Sequence, residues 1–229
     1  MMLDDDWNLR RMTAEVAVAP AGREAYLDIW LQLVHHKLEV VLDFDTDLRG
    51  YLTFRKRRNE RAPICERNLD ILERFLAGVG RKVISYETGL SQPTVAQILK
   101  GALADIGLHC SPAHTPSLLV LLAHAARGTA SHAELLIGSF EYESERYLVL
   151  SEGFGQSFLS RLAPAERAVL RQLMRGSSYG DIAARRHTAY RTVANQIAAA
   201  CHRLGVSGRL DLLQLKATFV EPENAGHPA

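Results

Sequence analysis

Seven side chains between positions 185 and 203 have the types that grip and read a nucleic acid: Arg185, Arg186, Tyr190, Arg191, Thr192, Asn195 and Arg203. A guanidinium can pair with a phosphate or with the edge of guanine, and a carboxamide matches the edge of adenine. Arg191 and Asn195 are four residues apart, so a helix would carry them on one face as candidates for base edges. Thr192, Arg185, Arg186 and Arg203 suit phosphate contacts or support of that helix, and Tyr190 suits a groove contact. Residues 161–209 hold nine Arg against only Glu166 and Asp181, a local net charge of +7 that the whole-chain value of +1 conceals.

The elements that must position these side chains lie between Leu162 and Arg209. This stretch reads as four short helices, with Pro164 at a first helical position and Gly176 and Gly205 at helix ends. Val169, Leu170, Leu173 and Met174 recur at helical steps, and Ile182, Ala183, Val193 and Ile197 supply matching apolar positions downstream. The spacing predicts a helix-turn-helix whose third helix begins near Ala189, with Val193 and Ile197 packed inward.

Pro164, Glu166, Val169-Leu170, Gly176, Ile182-Ala183, Thr192-Val193 and Arg203-Leu204-Gly205-Val206 together resemble the LuxR/GerE class of bacterial DNA-binding domains. The resemblance covers about one fifth of the chain. It implies a transcriptional regulator whose third helix enters the major groove and whose fourth pairs domains. It also implies double-stranded DNA as partner, with RNA polymerase or a regulatory protein as a further one. The sequence departs from the family pattern at Ala163 and Ala189, which cannot cap a helix, and at Arg186, Gly180 and Ala194. A lost cap costs about 1 kcal/mol.

A second helix-turn-helix pattern occupies residues 64–107. Gly78, Ile84, Thr94, Val95 and Gly107 match Gly176, Ile182, Thr192, Val193 and Gly205 at one offset, since 176 − 78 and 205 − 107 are both 98. Upstream, Tyr51-Leu52 matches Tyr147-Leu148 at an offset of 96. Leu38–Phe44 with Tyr51–Arg55, and Ala133–Glu141 with Arg146–Leu150, read as two hairpins. Apolar helices at 23–37 and 117–126 precede them, Trp30 being a core residue of the first. The predicted fold is mainly α with two β-hairpins, a tandem repeat of helix, hairpin and helix-turn-helix. Its parts are a mobile or loosely docked N-terminus (1–20), a first unit (21–112), a second unit (113–218, with the LuxR-type helix-turn-helix at about 160–218) and a tail (219–229). Whether the hairpins join into one sheet is not readable from spacing. The first unit's helix-turn-helix has the better caps, Gly89 and Ser91, but five bases against five acids. DNA contact is therefore expected from the second, with a homodimer or an internal pseudo-dimer as the assembly.

Other chemistry is thinly represented. Asp43, Asp45 and Asp47 follow an apolar strand, as at the start of haloacid-dehalogenase phosphatases. That class wants Thr or Val where Asp47 stands, and no alternating strand–helix series follows, so these residues read as an acidic hairpin turn. His35-His36, His109 with Cys110 and His114, and Cys201-His202 lack the paired spacing of a zinc site. No phosphate loop or nucleophile elbow is present. We expect no enzyme, cofactor or metal. Three dispersed cysteines, an acidic start and no long apolar run suit a soluble cytoplasmic protein outside the membrane. Residues 49–62 carry six bases and one acid, and Arg55–Arg58 are candidates for phosphate contact. The competing reading is a protein-interaction scaffold that keeps the helix-turn-helix fold and has lost DNA.

Overall fold

The apolar periodicities resolve into ten α-helices and one antiparallel sheet of five strands among the described residues, a mixed α/β architecture. The computed structural model describes residues 2–46, 49–59, 61–129, 135–153, 159 and 162–218. In chain order the elements are α1 (Met2–Glu15), β1 (Ala19–Pro20), α2 (Arg23–Val34), β2 (Leu38–Asp45), β3 (Arg49–Lys56), α3 (Glu66–Leu76), α4 (Arg81–Thr88) and α5 (Gln92–Asp105). After a 3-10 turn (Pro112–His114) come α6 (Ser117–Arg127), β4 (Leu135–Tyr142), β5 (Glu145–Gly153), α7 (Pro164–Met174), α8 (Tyr179–Arg185), α9 (Tyr190–Leu204) and α10 (Arg209–Thr218). Asp47, Ala133, Glu134 and the tail from 219 lie outside the described residues.

The two hairpins are joined. Strand order is β1-β4-β5-β3-β2, and β3 pairs with β5 from Arg49 opposite Gly153 to Arg55 opposite Tyr147. Backbone pairing across the halves thus fuses the two hairpins into one sheet, a point the spacing left open, and the expected mainly α class is corrected to mixed α/β. Strand alternation puts Leu52, Phe54 and Leu150 on the face that meets α2 and α6, all three fully buried. α6 is buried from Ser117 to Ala126 and packs against α2, α3, α10, β3 and β5. One contiguous core therefore runs through both halves.

The N-terminal stretch adds a helix to the sheet. Most of residues 1–20 form α1, which lies on the opposite face of the sheet, where fully buried Thr13 shares a hydroxyl hydrogen bond of 3.1 Å with Thr53. The connection from α1 to β1 crosses Gly138, where a Cβ would come within 2.6 Å of the Ala17 carbonyl oxygen.

The three-helix groups α3–α5 and α7–α9 are tied to this body by the segments that follow them. Beyond α5, Gly107 has φ +96° and its α-carbon lies so close to β2 that a Cβ would stand 2.3 Å from the Val40 carbonyl oxygen. The Val40 N–H donates to the Ile106 carbonyl at 2.8 Å. At the far end, α10 reaches back across the molecule. Arg209 donates to the carbonyls of Leu173 and Met174 at the end of α7 and to that of Thr115, and Gln214 donates to the carbonyl of Ala77 beyond α3. Lys216 forms a buried ion pair with Glu152 of β5. Burial lowers the Arg209 guanidinium to about 10, which leaves it charged at neutral pH.

Candidate nucleic-acid interface

The interface candidate is built on α7, α8 and α9. Val169, Leu170, Ile182, Val193 and Ala200 are fully buried and Ile197 nearly so, which locks the three helices together. Val193 and Ile197 pack inward as their spacing requires, so the opposite face of α9 points outward.

Each helix start has a different chemistry. At α7, Ala163 offers no acceptor, but the Glu166 carboxylate takes the Ala163 N–H at 3.1 Å, half of a capping box. At α8, Ser178 Oγ accepts the Asp181 N–H at 3.1 Å and Asp181 accepts the Ser178 N–H at 3.1 Å, a complete box. The Ser178 hydroxyl and N–H hold the Asp181 carboxyl below its ordinary value. The Ser-x-x-Asp spacing of Ser178 and Asp181 is the signal in the sequence for this helix start. At α9, Ala189 makes no side-chain cap, which leaves first-turn N–H groups without a protein side chain to accept them.

The turn between α8 and α9 depends on His187, whose φ is +51°. Ninety-eight residues earlier Gly89 holds φ +67° in the turn between α4 and α5. The sequence offset marks His187 as the residue in Gly89's place, a position the spacing of side-chain chemistry does not reveal.

The residues singled out from sequence fall into three groups. Arg185, Tyr190, Arg191, Thr192 and Asn195 are exposed along the end of α8 and the first turns of α9. Arg191 and Asn195 share one stripe, and the Tyr190 ring lies 5.9 Å from that of Tyr179. Arg186 closes α8 half-buried, with its Nε shielded from solvent and lacking a hydrogen-bond partner. Arg203, itself exposed, forms an ion pair with the buried Glu166 of α7. Arg175 donates to the Thr46 carbonyl at 2.8 Å, and Arg209 is the buried tie described above. Three of the nine arginines behind the local +7 are thus engaged within the fold.

The helices α3–α5 present a different surface. Pro93, Thr94 and Gln97 stand where α9 has Arg191, Thr192 and Asn195. Glu87 stands in the place of Arg185 and is ion-paired with Arg74 at 2.8 Å. Arg74 is also paired with Asp70 at 2.8 Å, so this guanidinium is shared between two carboxylates.

Elsewhere, Asp43 lies exposed on β2 and the stacked rings of Phe44 and Tyr51 follow it. Among the described residues no group of three His, Cys, Asp or Glu side chains is placed to hold a metal ion, and no helix is long and apolar enough to cross a membrane. Comparison of the chain with protein-family models, with curated proteins and with solved structures returned no match.

Proposed function

We propose that the protein is a sequence-specific, double-stranded-DNA-binding transcriptional regulator of the LuxR/GerE helix-turn-helix type, cytoplasmic and bacterial, that reads the major groove with α9. The observation that carries this reading is the outward stripe of Arg191 and Asn195 on a helix whose other face is anchored by Val193 and Ile197, flanked by exposed Arg185 and Thr192. An uncapped helix start beside those cations suits a phosphate. RNA polymerase or a regulatory protein is the further partner proposed, and no catalytic, cofactor or metal-binding role is assigned.

We also infer that the two halves are diverged copies of one unit. The starts of α3, α4 and α5 precede those of α7, α8 and α9 by 98 residues each (66 and 164, 81 and 179, 92 and 190). Ile84 and Ile182, and Val95 and Val193, are fully buried pairs at that offset. Phe44 stacks on Tyr51 at 5.1 Å and Phe140 on Tyr147 at 5.3 Å, equivalent pairs at the offset of 96. The body is then an internal pseudo-dimer in which the α7–α9 copy carries DNA contact and the α3–α5 copy, whose five bases are balanced by five acids, a different contact.

The test is binding of the full chain to mixed genomic fragments across a salt series. The reading expects log affinity to fall steeply with log salt. Arg185→Ala should flatten the slope by about 1, and Arg191→Ala should erase fragment preference at a cost of about 1–3 kcal/mol. No binding at low salt rejects the reading and leaves the protein-interaction scaffold.

A further inference from the structure

The basic run that the DNA reading does not use has a place in the fold. Arg55 and Arg58 are ion-paired, to Glu39 at 2.8 Å and Glu145 at 2.7 Å. Lys56 and Arg57 instead line an open cleft of about 1100 Å³ at the end of the sheet, beyond the last turn of α2. Its lining includes Lys37, Lys56, Arg57, Arg61 and Arg146, against one acid, Asp28, which is taken up by the Gln32 amide at 2.7 Å. These cations come from three segments, the α2–β2 connection, β3 with the stretch after it, and β5, so they converge on one concavity. The apolar part of its lining, referred to below as the floor, is Leu38, Leu148 and Pro63.

The inner wall is built. The Arg57 side chain is only 8% exposed, and it is fixed by Glu39 at 3.5 Å and by the Asp105 carbonyl at the end of α5. His36, also in the lining, is 6% exposed and strained at φ +56°. Its Nδ1 is bonded to the Ala62 carbonyl, and its Nε2 is shielded from solvent and without a hydrogen-bond partner. At the mouth, Lys37 and Lys56 are exposed and make no ion pair among the described residues. A buried, pre-positioned guanidinium, two free ammonium groups and an orphaned ring nitrogen above an apolar floor match an anion attached to an organic body.

We propose that this cleft binds a phosphorylated small molecule, its phosphate held by Lys37, Lys56 and Arg57 and its organic part resting on Leu38, Leu148 and Pro63. A duplex is the poorer occupant, because the cations line a concavity rather than a ridge that could follow a groove or backbone. The site lies apart from α9 and does not rest on the DNA reading.

The proposal is tested by calorimetric titration of the full chain at low salt with inorganic pyrophosphate and, separately, with ADP as probes. Saturable binding of both is expected, with ADP the tighter because it alone covers the floor. The Lys37→Ala/Lys56→Ala variant should weaken both by roughly tenfold or more, since each lost charge-assisted contact is substantial. Its unliganded melting temperature should be unchanged, both side chains being exposed, and Arg185→Ala should bind both probes as the parent does. Failure of either probe to saturate, or equal affinities in parent and double variant, overturns the proposal. Equal affinity for pyrophosphate and ADP overturns the role of the apolar floor. If the double variant loses duplex DNA binding while ADP binding stays intact, the cleft belongs to nucleic acid and the proposal falls.

Discussion

Thr53 and Val149 stand directly opposite each other in the pairing of β3 with β5, and an offset of 96 residues makes each the counterpart of the other. Both are fully buried, yet only Thr53 carries a hydroxyl, and α1 answers it with Thr13. In the proposed repeat, α1 is what makes these two positions unlike.

Thr53→Val should therefore cost about 1–3 kcal/mol, because it strands the Thr13 hydroxyl in a dry interface. Adding Thr13→Val should recover most of that loss, since both partners are then apolar and of the same shape. Urea denaturation of the single and double variants measures this. A double variant as unstable as the sum of the singles would mean that the hydroxyl pair does not hold α1 to the sheet.

Arg203 separates a structural from a DNA-contacting role. With its partner Glu166 buried and its own side chain 53% exposed, Arg203→Ala should lower stability by about 1 kcal/mol after solvent screening. The salt slope of DNA binding should not change. A melting scan beside the salt series decides the matter: an unchanged melting temperature with a shallower slope would return Arg203 to the phosphate contacts.

Glycine at 107 and at 89 should respond unequally to Ala. Both positions have positive φ, which costs a side chain about 1–2 kcal/mol. At Gly89 the added Cβ meets open space, whereas at Gly107 it meets the Val40 backbone. Gly89→Ala should lose little beyond the conformational cost. Gly107→Ala should lose at least about 3 kcal/mol, because two backbones must move apart. Matched chemical denaturation curves would refute the close approach of α5 and β2 if the two variants proved alike.

His124 supplies a pH dependence. It is buried on α6, and burial first, then the nearby Arg127 charge, lowers its pKa below the ordinary value near 6.5. A depressed folded pKa means that the unfolded chain takes the proton first. Its stabilising contribution is complete above about pH 6.5 and falls away as the pH drops towards the folded value. His124→Gln should flatten the melting temperature between about pH 6.5 and 5 relative to the parent. Parallel curves for the two proteins would remove His124 from the account.

The sequence by itself determined the local matters. The three- and four-residue recurrence of Val169, Leu170, Ile182, Val193 and Ile197 marked the face of each helix, because a helix repeats every 3.6 residues. Gly176 and Gly205 marked ends that need positive φ, and both have it, at +85° and +69°. Strand alternation likewise located both hairpins to within a few residues. The exposure of Arg191, Thr192 and Asn195 followed from the α9 face, since at 100° per residue they fall away from the Val193–Ile197 stripe.

Only the tertiary structure decided what depends on residues far apart in the chain. The register of Thr53 against Val149, the docking of α1, the reach of α10 to Ala77 and Glu152, and the cleft between Lys37, Lys56 and Arg146 are of this kind. So is the pairing of Arg203 with Glu166, 37 residues apart. Local propensity and periodicity specify which side of an element is apolar. They do not specify which element covers it, because that choice rests on non-local pairing and on desolvation in one shared core.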